Sequence, residues 1–276
     1  MSGTRKYINF KEGKIAYTSS GKGRAVVLLH GFLGSADIWE ETKNALAKYF
    51  RVICIDLPGH GESNCFGYIH NMDLMAEAVK AVMNKLRFKK YVVVGHSMGG
   101  YAALAFAELF PDCVRGLCLF HSTAYADSEQ KKRERSKAIK AVKNNYSIYV
   151  RATIKNLFAT KNLKYHRKEI LFTQQIARKT PKQGVVDALE GMKDRPNRDM
   201  ILHFAKYPIL FIIGKYDNIL PMQSLLDQAA LVKYKHVLLL ENSGHMGFLE
   251  QPDTCVKTLK RFIRESFRSY KSQGRK

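Results

Sequence analysis

The feature of this sequence that most constrains its fold is a series of short apolar runs rich in β-branched residues. They occupy residues 25–29, 52–55, 91–94 and 114–120. Such runs are typical of strands that are buried on both faces of a parallel sheet. Helical patterns separate the runs, at residues 38–49, 72–86 and 101–109. Strands that alternate with helices predict an α/β domain with crossover connections, and a hairpin over residues 7–10 and 15–18 leads into its sheet.

The alternation stops after residue 120 and returns at residues 209–213 and 237–240. Between these points the sequence contains no convincing buried strand and reads as several amphipathic helices. A last helix begins at Pro252, a favoured residue for the first turn. We therefore predict an α/β core domain built from residues 1–120 and 207–276, with a mostly parallel, twisted sheet and helices on both faces. Residues 121–206, called here the helical insert, are predicted to lie between two core strands.

Composition indicates a protein that folds without covalent or metal cross-links. A chain of 276 residues buries a sizeable core unaided. Its five cysteines are scattered and include no C-x-x-C pair, which predicts neither a disulfide framework nor a zinc site. Its first residues lack the apolar run of a signal peptide, and no stretch reaches ~18 apolar residues, so we expect no membrane span. We accordingly expect a cytoplasmic protein.

The segment Gly95-His-Ser-Met-Gly99 follows the run at residues 91–94 and precedes a helical pattern. This is the context that a G-x-S-x-G nucleophile elbow requires. A serine on so tight a turn needs small residues two positions away, and the helix N-terminus directs free N–H groups toward the reacting oxygen. The segment would also suit a glycine-rich turn without chemical function, but we favour Ser97 as a nucleophile.

A second turn, His30-Gly-Phe-Leu-Gly34, follows residues 25–29. Its glycines let the backbone fold back, so that an N–H group can face the space above Ser97. The N–H groups of Phe32 and Met98 would then form an oxyanion hole. Taken alone, the segment is better explained as a loop whose two glycines serve turn geometry.

Asp217 and His245 each follow a predicted strand, at residues 209–213 and 237–240. Alone, an Asp in a turn usually bonds its own backbone, and a His in a loop is usually a surface residue. Together with Ser97, however, they stand beyond the C-terminal ends of three strands, which meet at the edge where open α/β sheets build their sites. Ser97 would attack, His245 would take its proton as general base, and Asp217 would orient the imidazole.

These segments, together with Asp56-Leu-Pro-Gly-His-Gly-Glu-Ser63, stand in the order found in proteins of the α/β-hydrolase fold. The chain resembles the small capped members that carry a Ser-Asp-His triad, along nearly its whole length outside the helical insert. The resemblance implies that the insert is a cap over the site. It further implies hydrolysis of an ester or similar acyl bond of a small molecule, with no cofactor and no metal.

At two positions the sequence differs from other enzymes of this fold, and these differences narrow the set of reactions that it could catalyse. Epoxide hydrolases and haloalkane dehalogenases of this fold use an Asp nucleophile, where Ser97 stands here, and Leu33 replaces the proline usual in the first loop of epoxide hydrolases. We predict a serine esterase that cleaves a carboxylic ester or thioester through an acyl-enzyme on Ser97. Carbon–carbon bond hydrolases, the menaquinone-pathway lyase, perhydrolases and acyltransferases share these motifs and remain alternatives. A non-catalytic binding protein of this fold is the alternative outside enzymes.

The chain is strongly basic, with 46 Lys and Arg against 24 Asp and Glu. Residues 128–182, within the helical insert, contain 16 Lys and Arg and only three acidic residues. This charge could steer an anionic substrate such as a carboxylate, phosphate or coenzyme A ester, or contact nucleic acid or an acidic membrane. It could equally be a solvated helix surface. We favour the solvated helix surface, because aromatic residues are not interleaved among the basic ones as a surface that stacks on bases would require. We therefore expect no nucleic-acid partner.

Large side chains beside the motifs are candidates for the substrate pocket. We expect Phe32, Met98, Tyr101 and Phe248 to contact substrate, with Trp39 as a further wall residue. Each of them is equally suited to core packing. No oligomeric state is predicted from the sequence.

Overall fold

The computed structural model describes the backbone of residues 4–273 and the side chains as far as Arg268. Eight strands form one sheet, in the order β1-β2-β4-β3-β5-β6-β7-β8. The strands are β1 (Lys6–Phe10), β2 (Gly13–Ser20), β3 (Ala25–Leu29), β4 (Arg51–Ile55), β5 (Tyr91–His96), β6 (Val114–Phe120), β7 (Ile209–Gly214) and β8 (Lys235–Leu240). Strand β2 runs antiparallel to both of its neighbours, and every other pair is parallel. The predicted mostly parallel sheet is confirmed.

Helices follow most of the parallel strands. They are α1 (Glu40–Ala47), α2 (Met72–Lys85), α3 (Met98–Leu109), α4 (Glu129–Asn144), α5 (Tyr146–Leu157), α6 (Arg167–Lys179), α7 (Lys182–Lys193), α8 (Met200–Phe204), α9 (Met222–Ala230), α10 (Gly247–Glu250) and α11 (Pro252–Gln273). Short 3-10 turns lie at Ala36–Trp39, Pro111–Cys113 and Thr160–Asn162. Among the described helices, none has an apolar stretch long enough to cross a bilayer.

Strand β3 shows why helices are needed on both faces of the sheet. All five of its side chains are at most 1% exposed. Successive side chains of a strand point to opposite faces, so a strand buried along its whole length must be covered on both sides. Strand β8 forms the far edge of the sheet, and its Val237 is 44% exposed. The apolar run in the sequence therefore reflects the position of β3 in the centre of the sheet.

The helical insert contains α4 to α8 and connects β6 to β7. Helix α4 packs against α7, and α5 packs against α6. The insert reaches the C-terminal edge of the sheet, where the backbone N–H of His245 donates to the carbonyl of Leu157 at 2.7 Å. Nearby, the N–H of Ala159 donates to the Glu250 carboxylate at 3.0 Å. The predicted core ranges include residues 1–3 and 274–276, which lie outside the described residues.

Candidate active site

Ser97 lies on a strained turn between β5 and α3. Its φ of 51° and ψ of −117° fall outside the regions that a residue with a Cβ normally adopts. The turn is possible because both flanking glycines approach backbone closely: a Cβ on Gly99 would lie 2.5 Å from the Leu29 carbonyl oxygen, and one on Gly95 would collide with the carbonyl of Gly99. The strain lifts Ser97 from the sheet edge, where it is partly exposed while His96 and Met98 are buried.

The loop after β3 lies beside this serine. A Cβ on Gly31 would be 3.2 Å from the Cβ of Ser97, a distance tighter than most real Cβ contacts. A glycine at position 31 therefore lets the loop lie close to Ser97. The His30 ring holds the loop: its Nδ1–H donates to the Gly31 carbonyl at 2.8 Å, and its Nε2 accepts the N–H of Leu57 at 3.0 Å. Burial lowers the pKa of His30 well below its usual value, so the ring is neutral in this role.

The N–H groups of Phe32 and Met98 are available for a ligand. Met98 is the first residue of α3, so its N–H has no acceptor within the helix. Within residues 4–273, neither of these two N–H groups donates to another protein atom. Two free donors beside a serine are what an oxyanion hole requires, and this role remains our prediction for them.

His245 and Asp217 form a buried pair at the same sheet edge. The Nδ1–H of His245 donates to Oδ2 of Asp217 at 2.7 Å. The other carboxylate oxygen accepts the N–H groups of Ile219 and Leu220, at 2.8 and 3.1 Å. Burial by itself would raise the pKa of Asp217, but the charge of His245 and the neighbouring hydrogen bonds more than offset it and hold the pKa well below its usual range. Asp217 is therefore an ionised carboxylate that orients the His245 ring.

His96 connects the serine turn to the histidine loop. Its Nε2–H donates to the backbone carbonyl of His245 at 2.8 Å, and the two rings lie 5.1 Å apart. Because His96 directly precedes Ser97, this bond keeps the turn and the loop in fixed relation. Among the side chains described, Ser97 Oγ and His245 make no direct hydrogen bond. Catalytic hydrogen bonds often shorten only when substrate binds.

The predicted pocket residues have different surroundings. Phe32 is partly exposed and lies edge-on to the His60 ring, whereas Met98 is fully buried. The Tyr101 ring packs against the Arg195 guanidinium, 4.0 Å away. Phe248 and Trp39 are both buried, with ring centroids 4.4 Å apart, and they pack beneath the His96 ring. Of these residues, Phe32 is thus the one with surface open to a ligand beside Ser97.

Two site residues were not predicted from the sequence, and both follow β6. Ser122 Oγ donates to the backbone carbonyl of Ser97 at 2.8 Å and supports the turn. His121 is completely buried, and its Nδ1 lies 3.4 Å from Oδ2 of Asp217. The rule that located Asp217 and His245, a polar residue directly after a core strand, applies equally to the His-Ser pair after β6.

Two groups of side chains have the types and spacing of metal ligands, Cys65 with His70 and Asp187, and His121 with Asp217 and His245. In each group one ring nitrogen already accepts a backbone N–H: Nε2 of His70 from Phe66 at 2.9 Å, and Nε2 of His121 from Gly247 at 3.2 Å. A metal at those nitrogens would displace these bonds. The other nitrogen of each ring, Nδ1, has no hydrogen-bond partner among the described residues.

Comparisons with known proteins agree with this architecture. A solved thermophilic esterase from Thermogutta terrifontis is 28% identical, with a TM-score of 0.90, over 96% of this chain and 99% of that one. A 2-hydroxy-6-oxononadienedioate/2-hydroxy-6-oxononatrienedioate hydrolase from Paraburkholderia phymatum is 29% identical over 79% of this chain and 81% of its own length. The dihydrolipoyllysine-residue acetyltransferase component of an acetoin cleaving system from Pseudomonas putida is 29% identical over 88% of this chain, which spans 64% of that protein. The sequence profile of the alpha/beta hydrolase fold matches residues 24–252, and the chain belongs to this family.

Proposed function

We propose that this protein is a serine esterase that hydrolyses a carboxylic ester or thioester of a small molecule. Ser97 attacks the carbonyl carbon, and His245 takes its proton and later returns it to the leaving oxygen or sulfur. Asp217 holds the His245 tautomer, and the N–H groups of Phe32 and Met98 stabilise the developing oxyanion. Water then releases the acyl group from Ser97 by the same route.

The observation that carries this proposal is the meeting of four segments at one sheet edge. A serine in a strained conformation, a histidine bonded to a buried carboxylate, and two unpaired N–H groups come from the ends of β3, β5, β7 and β8. A binding protein has no need of a nucleophile on a strained turn, which costs about 1–3 kcal/mol of stability. The esterase from Thermogutta terrifontis supports the same class of reaction.

We further propose that the helical insert covers the site. The insert contacts the His245 loop through Leu157. Its partly buried Arg135 and its buried Arg195 are both paired with Asp127. This single carboxylate offsets only one of the two positive charges, so the cluster keeps a net positive charge. The five cysteines are free, which supports a reducing compartment such as the cytoplasm.

Covalent labelling tests the nucleophile. The purified protein is incubated with a fluorophosphonate, and intact mass and peptide mapping locate the label. We expect one label per chain, on Ser97, absent in Ser97→Ala and retained in the control Ser136→Ala, whose serine is exposed on α4. Hydrolysis of p-nitrophenyl esters should fall by on the order of 10³-fold or more in Ser97→Ala. A native protein that neither reacts with the probe nor hydrolyses the esters would refute the proposal.

Cleavage of a carbon–carbon bond is the second candidate, because the Paraburkholderia phymatum hydrolase is similar over most of both chains. That enzyme's named substrate is a dicarboxylate, which needs cationic partners. A 2-hydroxy-6-oxo-dienoate and a p-nitrophenyl ester series should be compared by kcat/KM. We expect the esters to be preferred, and a preference of tenfold or more for the dienoate would assign the carbon–carbon reaction instead.

A further inference from the structure

His121 lies at the sheet edge between Ser97 and the Asp217–His245 pair of the proposed triad. It follows β6, which lies between β5, the strand of Ser97, and β7, the strand of Asp217. Its backbone has a φ of 46°, and its N–H donates to the carbonyl of Ile212 at 2.9 Å. This conformation, uncommon for a residue with a side chain, turns the chain at the end of β6 and leaves the imidazole completely buried among the site residues.

One hydrogen bond to the His121 ring defines its tautomer. The backbone N–H of Gly247 donates to Nε2 at 3.2 Å, so Nε2 carries a lone pair and the ring proton resides on Nδ1. That Nδ1 lies 3.4 Å from Oδ2 of Asp217, within reach of a hydrogen bond but without the geometry of one in this structure, and it has no hydrogen-bond partner among the described residues. The proton on Nδ1 thus faces the same oxygen that accepts the Nδ1–H of His245.

The charge of this ring follows from what surrounds it. Four titratable groups face His121: His96 from β5, Asp217 from the β7 loop, His245 from the β8 loop and Glu250 from α10. Burial is the strongest influence and lowers the pKa of His121, and the carboxylate of Asp217 does not fully offset it. His121 is therefore a neutral donor. A cation here would compete strongly with protonated His245 for Asp217, whereas a neutral N–H competes only weakly.

We propose that His121 is a positioning residue, a second imidazole whose Nδ1–H holds Oδ2 of Asp217 in the orientation that His245 needs. The inference rests on the proposed function, because it concerns the same triad. Two donors at one carboxylate oxygen fix its direction, much as outer-shell partners orient the ligands of a metal. They also draw negative charge away from that oxygen. Asp217 therefore stabilises the protonated form of His245 less strongly than it would without His121.

Substitution can separate the two hydrogen-bonding functions of the His121 ring, the donor at Nδ1 and the acceptor at Nε2. The side-chain amide of Asn places an N–H near the position of Nδ1, whereas Gln places its amide near the position of Nε2. H121N therefore keeps a donor to Asp217 and loses the acceptor for Gly247. H121Q keeps the acceptor and loses the donor. The two variants form a matched pair, because both are polar and uncharged, and thermal unfolding reports whether each remains folded.

Steady-state kinetics from pH 5 to 9 on a p-nitrophenyl ester give the test. We expect kcat of H121Q to fall about tenfold with KM unchanged, as for a hydrogen bond to a charged group that acts on orientation. The acid limb of its pH profile should move to higher pH, because Asp217 would then stabilise protonated His245 more strongly. H121N should recover at least threefold of that loss. Equal kcat and equal acid limbs in the two variants would overturn the proposal and leave His121 a packing residue.

A measurement without turnover separates this proposal from the proposed function. Nitrogen-15 NMR of the native protein reports the tautomer of each histidine ring. We expect His121 to be neutral with its proton on Nδ1 from pH 6 to 8. A proton on Nε2, or a charged ring at pH 7, would overturn the positioning role even if Ser97 hydrolyses esters. The expected tautomer in a protein that fails to label at Ser97 would uphold the geometry and refute only the esterase.

Discussion

Gly31→Ala tests how tightly the first loop must approach the serine turn. The backbone of Gly31 does not adopt a positive φ, so alanine is allowed at this position and only the added methyl group matters. That methyl carbon would lie 2.6 Å from Nδ1 of His96 and 3.2 Å from Cβ of Ser97. The first contact is about 0.8 Å shorter than an ordinary one.

His96 has little freedom to give way. Its Nε2–H is bonded to the carbonyl of His245, and its ring packs against Phe248 with centroids 5.0 Å apart. The methyl group must therefore displace the Gly31 loop, or move His96 and with it the relation of Ser97 to His245. Overpacking of this kind costs about 1–3 kcal/mol of stability. A displacement of ~1 Å in a catalytic group costs about 100-fold in rate.

The assay is kcat/KM for a p-nitrophenyl ester together with the melting temperature. Gly23→Ala is the matched control, because a Cβ there would meet nothing within 4 Å although its φ is 88°. We expect Gly23→Ala to lose about 1 kcal/mol through backbone strain with unchanged activity. Gly31→Ala should lose about 100-fold in kcat/KM. If Gly31→Ala keeps kcat/KM within threefold of the native value at an unchanged melting temperature, the close approach has no catalytic role.

Two further predictions concern stability. Asp127→Asn leaves the guanidinium groups of partly buried Arg135 and buried Arg195 without their carboxylate, so urea unfolding should show a loss of about 3–5 kcal/mol. Glu129→Gln, an exposed change in the same insert, should stay within about 0.5 kcal/mol, and equal losses in both would contradict the reasoning. Burial lowers the pKa of His60 to about 4, below the ~6.5 of an unfolded histidine. The unfolded chain therefore binds a proton more readily, and up to about 3 kcal/mol is lost as pH falls from 6.5 to 4. His60→Asn should reduce that loss in urea midpoints at pH 7 and pH 4.5, and an unchanged loss would exclude His60 as its source.

The core of the fold could be predicted from the sequence because its strands are buried on both faces. Residues 25–29 and 114–120 were predicted as strands with the bounds that the structure has. Central parallel strands must be apolar throughout, and that requirement is visible in a single sequence. The helices of the insert were predicted as a group, without their bounds, because exposed basic helices such as α4 have few apolar positions to mark their ends.

The proposed triad could also be predicted, because a glycine-flanked serine, an Asp and a His each follow a core strand. What the sequence determined by itself was the set of side chains that meet at one sheet edge, since the strands alone bring them there. Their mutual contacts were decided only by the tertiary structure. The bond from His96 to His245 and the approach of His121 to Asp217 join residues more than 90 positions apart. Such contacts depend on the packing of loops from different strands, which leaves no periodic trace in the sequence.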